Sequence, residues 1–469
     1  MSSHHAARAR ALTTSEAVLW RTESPGLRLP ILVMVSLEAT PDRDRLCQAL
    51  EHAVRTHPEL RSHLAEGPLA VGRPRWTLVP DLDVRRHLRV IRHPKPDDVD
   101  QVLDLTRSLA ETPFDPARPL WECLLLQGPG AGGSVLVFRV HHALADGRLI
   151  RRMLDTLCED DAGAGAEQPR LRAVPPPRDT GERPLGTVPL LPAFAGAVLD
   201  GARRAAGATA GRLLDPLAPL SGAVRAVPSA VRSCAAALML PAPHSPALKG
   251  RSTRRELRIV DLPRTSLREA GRLVGGSTQD AFLTGVLGGL HHYHRAVGTT
   301  WPRVPMAVAA ALPDGSGHRS GGNRFTGVRL AGPAGEPDPL RRLRAVHHAV
   351  RAARSGPLID PDRLGPVSVL LAAAPGPAVR VLARQLTASD VHCTYVPGPG
   401  DRVRLAGVGV TAMRPFAPAV NCGFSVAMCS YDKTCAIGVN IDTEAVQHPD
   451  LLHSALVTGL REMTGLVDD

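Results

Sequence analysis

The amino-acid sequence predicts an α/β protein of two halves, in which helices alternate with the strands of a sheet. Short apolar, β-branched runs, such as residues 31–37, 135–140 and 304–312, have the length and composition of buried strands. Other segments, such as residues 42–54 and 99–109, repeat their apolar residues at helical spacing. At 469 residues, the chain is long enough for two domains or for one large unit with two lobes.

The N-terminal half alternates between the two kinds of pattern. In chain order, it predicts a capped helix at 13–20, a strand at 31–37, a helix at 42–54, a strand at 75–79, a helix at 99–109, strands at 121–126 and 135–140, and a helix at 148–157. Glycines in residues 128–133 predict a turn that joins the last two strands as a hairpin.

The C-terminal half has the same character. Its patterns predict an edge strand at 254–260, helices at 264–273 and 277–290, a strand at 304–312, a loop at 315–322, strands at 391–396, 424–429 and 434–439, and a final helix at 449–463. The helix at 277–290 is mostly apolar and contains small residues, so we expect it to be buried and to make close contacts.

A composition change separates the halves. Residues 161–189 are rich in Pro, Gly, Ala and Arg, which is typical of a linker, and residues 190–248 are apolar, dotted with arginine and broken by proline. We therefore place an N-terminal lobe at 1–180, a crossover at 181–250 and a C-terminal lobe at 251–469. The crossover either packs on the body of the protein or docks on a membrane surface or lipid droplet, with arginines facing anionic headgroups.

Composition narrows the range of partners. The net charge is +11, and it comes almost entirely from arginine, because only Lys95, Lys249 and Lys433 are lysines. This usage, with abundant Ala, Gly and Pro, is typical of a GC-rich bacterial genome. Aromatic residues make up only 3% of the chain, and no basic run alternates with them, so we expect no nucleic-acid partner. A basic surface does suit anionic ligands such as the phosphates of coenzyme A, or an anionic membrane.

The cysteines and the N-terminus bear on location. The eight cysteines are scattered without a CxxC pair, which favours reduced thiols in a cytoplasmic protein and no structural zinc. The first ten residues are polar and basic, and the first apolar run, residues 29–37, is too deep for a signal peptide and too short to span a bilayer. We expect a cytoplasmic protein, with peripheral contact to membranes or lipid droplets as the open alternative.

The most informative stretch is His141-His142-Ala143-Leu144-Ala145-Asp146-Gly147. It follows the predicted strand at 135–140, and Asp146 occupies the position where the next helix would start. Histidine is the side chain whose ordinary pKa lies near working pH, so a histidine at a strand end is suited to proton transfer. A metal site is disfavoured, because two histidines and one aspartate lack a further ligand at suitable spacing.

This stretch and others resemble the bacterial wax ester synthase/diacylglycerol acyltransferase family, within the condensation-domain and chloramphenicol-acetyltransferase-like superfamily. The matching pieces occur in family order at residues 12–17 with Trp20, 72–76, 118–122, 141–147, 279–280, 322–324, 396–399 and 430–432. The resemblance covers nearly the whole chain.

The resemblance implies a fold and a reaction. The fold would consist of two chloramphenicol-acetyltransferase-like lobes, each a mixed sheet flanked by helices, with a tunnel at their interface. The reaction would move an acyl group from an acyl-thioester such as acyl-CoA to an alcohol, either a fatty alcohol or diacylglycerol, giving wax ester or triacylglycerol. No cofactor is expected beyond the acyl-CoA or acyl-carrier thioester that serves as substrate.

The resemblance also implies roles for individual residues. His142 would be the general base, His141 a supporting residue, and Asp146 a structural residue that holds the loop. Gly147 would allow close backbone approach. The expected substrate-binding positions are Gly147, Gln279, Asp280, Asn323, Arg324 and Tyr395.

Three positions depart from the family pattern and leave other functions open. Gln279 replaces an asparagine, Tyr395 replaces an asparagine, and Ala309 stands where an arginine usually ends a strand. One alternative is a specialised-metabolite acyltransferase or condensation enzyme with a carrier-bound donor or a non-lipid alcohol or amine acceptor. Another is a non-catalytic lipid-binding homologue, against which the intact His142 and Asp146 argue.

Overall fold

A computed structural model of the chain describes residues 9–24, 26–66, 73–96, 98–129, 132–160, 242–311, 325–355, 379–380 and 388–468. The predicted linker at 161–189, almost all of the apolar crossover and the loop at 315–322 lie outside the described residues. The proposal that the crossover docks on a membrane therefore stays a prediction.

The described backbone alternates strands and helices. The strands are β1 (Ala9–Ala11), β2 (Pro30–Leu37), β3 (Ser62–Ala65), β4 (Arg75–Leu78), β5 (Leu88–Arg92), β6 (Trp121–Gln127), β7 (Ser134–His141), β8 (Cys158–Asp160), β9 (Arg255–Pro263), β10 (Val304–Ala311), β11 (Phe325–Gly332), β12 (Val391–Pro397), β13 (Val403–Leu405), β14 (Val408–Phe416), β15 (Phe424–Tyr431) and β16 (Thr434–Asp442). The helices are α1 (Thr14–Thr22), α2 (Arg43–Thr56), α3 (Val99–Glu111), α4 (Gly147–Leu157), α5 (Arg264–Arg272), α6 (Thr278–Ala296), α7 (Pro339–Ser355) and α8 (Pro449–Asp468).

Two mixed sheets dominate the architecture, as the sequence predicted. The first has seven strands in the order β5-β6-β7-β2-β14-β13-β8, and only β5 and β6 are parallel. The second has six strands in the order β11-β10-β12-β15-β16-β9, with β12 parallel to both β10 and β15. A small antiparallel sheet, β1-β4-β3, completes the strands. β9 lies at an edge, which confirms the edge strand predicted at 254–260.

The C-terminal half contributes to both large sheets. β13 and β14 lie after residue 251, yet they join the first sheet, where β14 pairs with β2. An added Cβ on Gly438 of β16 would lie 2.0 Å from the carbonyl oxygen of Pro415 in β14, so the two sheets touch there. The lobe boundaries at residues 180 and 251 stay a prediction. The local sequence of β14 could not indicate this pairing, because its partner β2 lies far away in the chain.

Caps fix the starts of several helices where the sequence placed them. Thr13 and Glu16 form a capping box at the start of α1, and Ser277 and Asp280 form one at the start of α6. Asp42 caps α2 by accepting the Arg45 N–H at 2.9 Å. These side chains satisfy backbone N–H groups that lack a partner within the first turn.

The described part of the chain contains free cysteines and no helix that could span a membrane. Seven cysteines lie there, and all seven are free thiols; Cys234 falls outside it. None of the described helices is long and apolar enough to cross a membrane.

Small residues let α6 and α8 pack closely, as the composition of residues 277–290 predicted. Three glycines of α6, Gly285, Gly288 and Gly289, face Gly459 of α8. An added Cβ on Gly459 would lie 2.0 Å from the backbone nitrogen of Gly289 and 2.6 Å from the carbonyl oxygen of Gly285. Both helices lie on the second sheet, so this contact supports the core beneath it.

Gly459→Ala should therefore destabilise the protein. The new methyl group would meet backbone atoms that cannot move without separating α6 from α8, and overpacking of this kind costs about 1–3 kcal/mol or more. The free energy of unfolding, measured by urea denaturation, tests this prediction.

The matched control is Gly465→Ala on the same helix, where an added Cβ meets nothing within 4 Å. Since alanine is the better helix former, this variant should be neutral or gain about 0.5–1 kcal/mol. Equal losses of stability in the two variants would contradict the close packing of α6 on α8.

Candidate functional site

The His141–Gly147 stretch forms the link between β7 and α4. β7 is buried along its whole length and ends at His141, and α4 begins at Gly147. The backbone N–H groups of Leu144 and Ala145 donate to the His141 carbonyl at 2.9 and 3.2 Å, which closes a turn. The His142 N–H donates to the Leu29 carbonyl at 2.9 Å, so the turn is also tied to the segment before β2.

The first histidine of the pair is enclosed. The His141 side chain is fully buried, and its ring makes edge contacts with Trp20 and Phe114 at centroid distances of 5.5 and 5.7 Å. Its Nε2 is hydrogen-bonded to the Glu23 carboxylate. Its Nδ1 lies 2.9 Å from the Ala143 N–H, which donates to it. Both ring nitrogens are therefore hydrogen-bonded within the protein. The supporting role of His141 stays a prediction.

The second histidine has a different environment. The His142 side chain is only half-buried, so it is the more accessible of the two. Burial lowers the pKa of His142, against the opposing effects of backbone hydrogen bonds at His142 and Ala145 and of the Asp146 charge. A lowered pKa keeps the imidazole neutral near pH 7, which is the form that can accept a proton.

Asp146 is the N-cap of α4, at the helix start that the sequence predicted. Its side chain is buried, and Oδ1 accepts the Leu149 N–H at 2.9 Å. The cap aligns the first turn of α4 with the end of β7. The role of holding the loop, which the family resemblance implies for Asp146, stays a prediction that this cap supports.

Gly147 lies where the first sheet's helix α4 meets β12 of the second sheet. An added Cβ on Gly147 would lie 2.8 Å from Cγ2 of Val396, so the close approach predicted at this glycine is made to the chain itself. One turn later, the Arg151 guanidinium donates to the Pro397 carbonyl. Both contacts fix the end of β12 beside the histidine loop.

Tyr395 occupies the same end of β12. It is half-buried, and its hydroxyl lies 3.1 Å from the Ser430 hydroxyl on β15. Burial raises the pKa of Tyr395, partly offset by this hydrogen bond, so the phenol stays protonated under ordinary conditions. Gly147 and Tyr395 thus lie near the same end of β12, but Tyr395 packs against the core of the second sheet, whereas Gly147 contacts Val396. Substrate contact at both positions stays a prediction.

The other predicted substrate positions are placed elsewhere or lie outside the described residues. Gln279 Oε1 accepts a hydrogen bond from the Arg354 guanidinium of α7 at 2.7 Å. The Asp280 carboxylate accepts the Ser277 N–H in the capping box of α6 and lies 3.4 Å from Nδ1 of His347 on α7. These contacts join α6 to α7. Asn323 and Arg324 are not among the described residues. Substrate contact at these four positions stays a prediction.

Sequence reasoning did not find Glu23. It follows α1 as the C-cap residue, and no local pattern connects it with position 141. Together with Trp20, Arg28 and Phe114, it lines a cavity of about 300 Å³ beside His141. Within the described part of the chain, no group of three or more His, Cys, Asp or Glu side chains has the arrangement of a metal site.

Comparison with known families and proteins gives consistent results. Residues 12–282 match the family description "Wax ester synthase/diacylglycerol acyltransferase catalytic domain", and residues 321–464 match "WS/DGAT C-terminal domain". A protein of Mycobacterium tuberculosis strain H37Rv, provisionally named a diacylglycerol O-acyltransferase, is 30% identical over 452 residues, which cover 94% of this chain and 89% of that protein. A second protein of that strain with the same provisional name is 25% identical over 450 residues, covering 95% and 88% of the two chains.

Solved structures share the fold. The wax ester synthase/diacylglycerol acyltransferase from Marinobacter aquaeolei VT8 is 17% identical, with a TM-score of 0.61 over 97% of this chain and 98% of that chain. The first condensation domain of the calcium-dependent antibiotic synthetase is 18% identical, with a TM-score of 0.59 over 98% and 97%. The starter condensation domain of rhizomide synthetase in complex with C8-CoA is 15% identical, with a TM-score of 0.58 over 98% and 95%.

The cap at Asp146 can be separated from its charge by substitution. Asp146→Ala should cost about 0.5–2 kcal/mol in the free energy of unfolding, because the buried Leu149 N–H loses its acceptor. Asp146→Asn keeps an acceptor oxygen and removes the charge, so it should retain most of the stability. Urea denaturation of both variants tests this, and equal losses would show that the charge, rather than the cap, stabilises the loop.

Proposed function

The chain belongs to the wax ester synthase/diacylglycerol acyltransferase family and is an O-acyltransferase, and we propose that it transfers an acyl group from acyl-CoA to a fatty alcohol or diacylglycerol. The products would be wax ester or triacylglycerol. The observation that carries the proposal is His142, a half-buried histidine with a lowered pKa, located within the segment that matches the catalytic domain.

In the proposed reaction, His142 is the general base. The imidazole accepts the proton of the acceptor hydroxyl while that oxygen forms a bond to the thioester carbonyl carbon. The tetrahedral intermediate then collapses, the carbon–sulfur bond breaks, and the imidazolium returns the proton to the departing thiolate. The ester and free thiol are formed without an acyl-enzyme, in keeping with a sequence that lacks a Gly-x-Ser-x-Gly motif.

The pKa of His142 and the hydrogen bonds of His141 both support this role. A lowered pKa keeps His142 unprotonated at neutral pH, so the base is ready before substrate arrives. The neighbouring His141 cannot substitute for it, because its Nδ1 accepts the Ala143 N–H and its Nε2 is bonded to Glu23. The tunnel implied by the family resemblance, through which donor and acceptor would reach His142, is part of the proposal.

A second candidate is acyl transfer from a carrier-bound thioester, or to a non-lipid alcohol or amine. It is favoured by the fold shared with condensation domains. The condensation domain solved in complex with C8-CoA instead favours the acyl-CoA donor of the first candidate. The departures at Gln279, Ala309 and Tyr395 lie in the half of the chain that includes the second sheet. A screen of acyl-CoA and acyl-carrier donors against fatty alcohols, diacylglycerol and amines, with product identification, decides between the two candidates.

His142→Ala should abolish the proposed reaction without unfolding the protein. Loss of a general base typically costs about 10²–10⁴-fold in rate. The His142 side chain is only half-buried, so its removal should leave the protein folded. The measurement is release of free thiol from acyl-CoA in the presence of an alcohol, with circular dichroism as the check on folding.

The control for this substitution is His348→Ala, which removes an exposed histidine of α7. It should leave thiol release unchanged. Turnover by folded His142→Ala at the wild-type rate would rule out the proposed mechanism.

The pH dependence should report the pKa of His142. Protonation removes the base, so kcat/KM should fall as the pH drops through this pKa, and burial places that fall below the ordinary histidine value of 6.5. Measurement of kcat/KM across about pH 5 to pH 8, with folding checked at each pH, tests this prediction. A midpoint at or above 6.5 for the acid limb would contradict it.

A further inference from the structure

The Glu23–His141 pair is an enclosed contact that the reaction itself does not use. The Glu23 side chain is 12% exposed and the His141 side chain is fully buried. The pair joins the C-terminal end of α1 to the end of β7, which are 118 residues apart in the chain. A carboxylate so little exposed is costly unless it is hydrogen-bonded, so the pair is a specific feature of the fold.

The hydrogen bonds determine which nitrogen of His141 carries the proton. Nδ1 accepts the Ala143 N–H at 2.9 Å, and a ring nitrogen that accepts in this way has no proton of its own. Nε2 is then the protonated nitrogen, and it donates to the Glu23 carboxylate. Because an ionised carboxylate only accepts, Glu23 selects this tautomer and leaves Nδ1 free to hold Ala143.

The charges around Glu23 keep it ionised. Burial alone would raise the pKa of Glu23, but its net pKa is lowered by the hydrogen bond from His141, with the charges of Arg28 and Arg139 acting in the same direction. Arg28 lies 3.4 Å from the carboxylate. Arg139 is itself paired with Glu122 at 2.5 Å and lies over the Phe114 ring at 3.7 Å.

The segment that begins with Glu23 holds the histidine loop at two points. Its first residue bonds the His141 ring, and Leu29, at its other end, accepts the His142 N–H at 2.9 Å. Two hydrogen bonds of 3.0 Å between Ser24 and Leu27 close a turn between these points. The side chain of His141 and the backbone of His142 are thus held by one short segment.

From this geometry we propose that Glu23 is a positioning residue, which acts through the His141 ring and the Ala143 N–H to hold the loop so that His142 faces the substrate. This proposal rests on the proposed function. Glu23 does not touch the reacting atoms, and its effect is on the placement of the base. Without it, the buried Nε2–H has no acceptor, the other tautomer becomes favourable, and the Ala143 N–H loses its partner.

The kinetic test compares two substitutions of Glu23 with a matched control. Glu23→Leu removes the acceptor and should lower kcat about tenfold to a hundredfold, with KM for both substrates changed less than about twofold, because a small misplacement of the base affects the chemical step. Glu23→Gln retains an acceptor oxygen and should keep most of kcat. Glu66→Leu removes an exposed carboxylate of the same cavity, one that accepts from Trp20 Nε1, and should leave kcat unchanged.

The spectroscopic test is independent of activity. Nitrogen-15 chemical shifts distinguish a protonated from an unprotonated ring nitrogen. They would be measured in the full-length protein with labelled histidine, and the His141 signals would be assigned by their loss in His141→Gln. Wild type and Glu23→Gln should show Nε2 protonated and Nδ1 unprotonated. Glu23→Leu should show a shift toward the other tautomer, a signature that loss of stability alone would not produce.

The outcomes separate this proposal from the proposed function. If the spectrum of the wild-type protein showed Nδ1 protonated, the positioning role would be overturned, even if Glu23→Leu failed to fold. A folded Glu23→Leu variant with the kcat of the wild type would also overturn it. A wild type that releases no thiol from acyl-CoA, with the expected tautomer intact, would instead overturn the proposed acyl-CoA reaction.

Discussion

The histidine site depends on close packing between α4 and the end of β12. The absence of a side chain at Gly147 lets the helix start lie against Val396, and the Arg151 guanidinium holds the Pro397 carbonyl one turn later. The loop that carries His142 therefore lies beside both large sheets. β16 meets β14 in a similar way at Gly438. At both glycines, the missing side chain leaves room for atoms of the other element.

Two adjacent histidines acquire opposite properties from their surroundings. His141 has both ring nitrogens occupied, by the Ala143 N–H and by Glu23, and aromatic rings shield it from solvent. His142 is more accessible, and its pKa is lowered by burial. In the proposed reaction, His142 is the base, and the adjacent His141 is held by contacts within the protein.

The charged groups behind the loop form a continuous arrangement. Arg139 is buried on β7 two residues before His141, where it pairs with Glu122, donates to the Thr112 carbonyl and lies over Phe114. Phe114 in turn contacts the His141 ring. The contacts with Glu122, Thr112 and Phe114 offset part of the cost of burying the Arg139 guanidinium, whose Nε is buried without a hydrogen-bond partner.

Local sequence determined much of the fold and of the site. The apolar periods predicted β2, β7, β10, β15 and β16, and the caps at Thr13 and Ser277 indicated helix starts. These signals depend on neighbours within one or two turns. Asp146 at the start of α4 was predicted on the same ground. Strands of three to five residues carry little periodicity, and among those described only β4 was predicted, whereas β1, β3, β5, β8 and β13 were not. The longer elements β11, β14 and α7 were not predicted either.

Only the tertiary structure decided which distant residues meet. The pairing of β14 with β2 and the contacts of Glu23 with His141 and of Gly147 with Val396 all join residues that are far apart in the chain. Hydrophobic period and capping describe how a segment buries its own face, and they contain no information about which other segment covers it. The sequence alone thus determined that a histidine loop ends a buried strand, and the packing of the whole chain decided how each histidine in it is held.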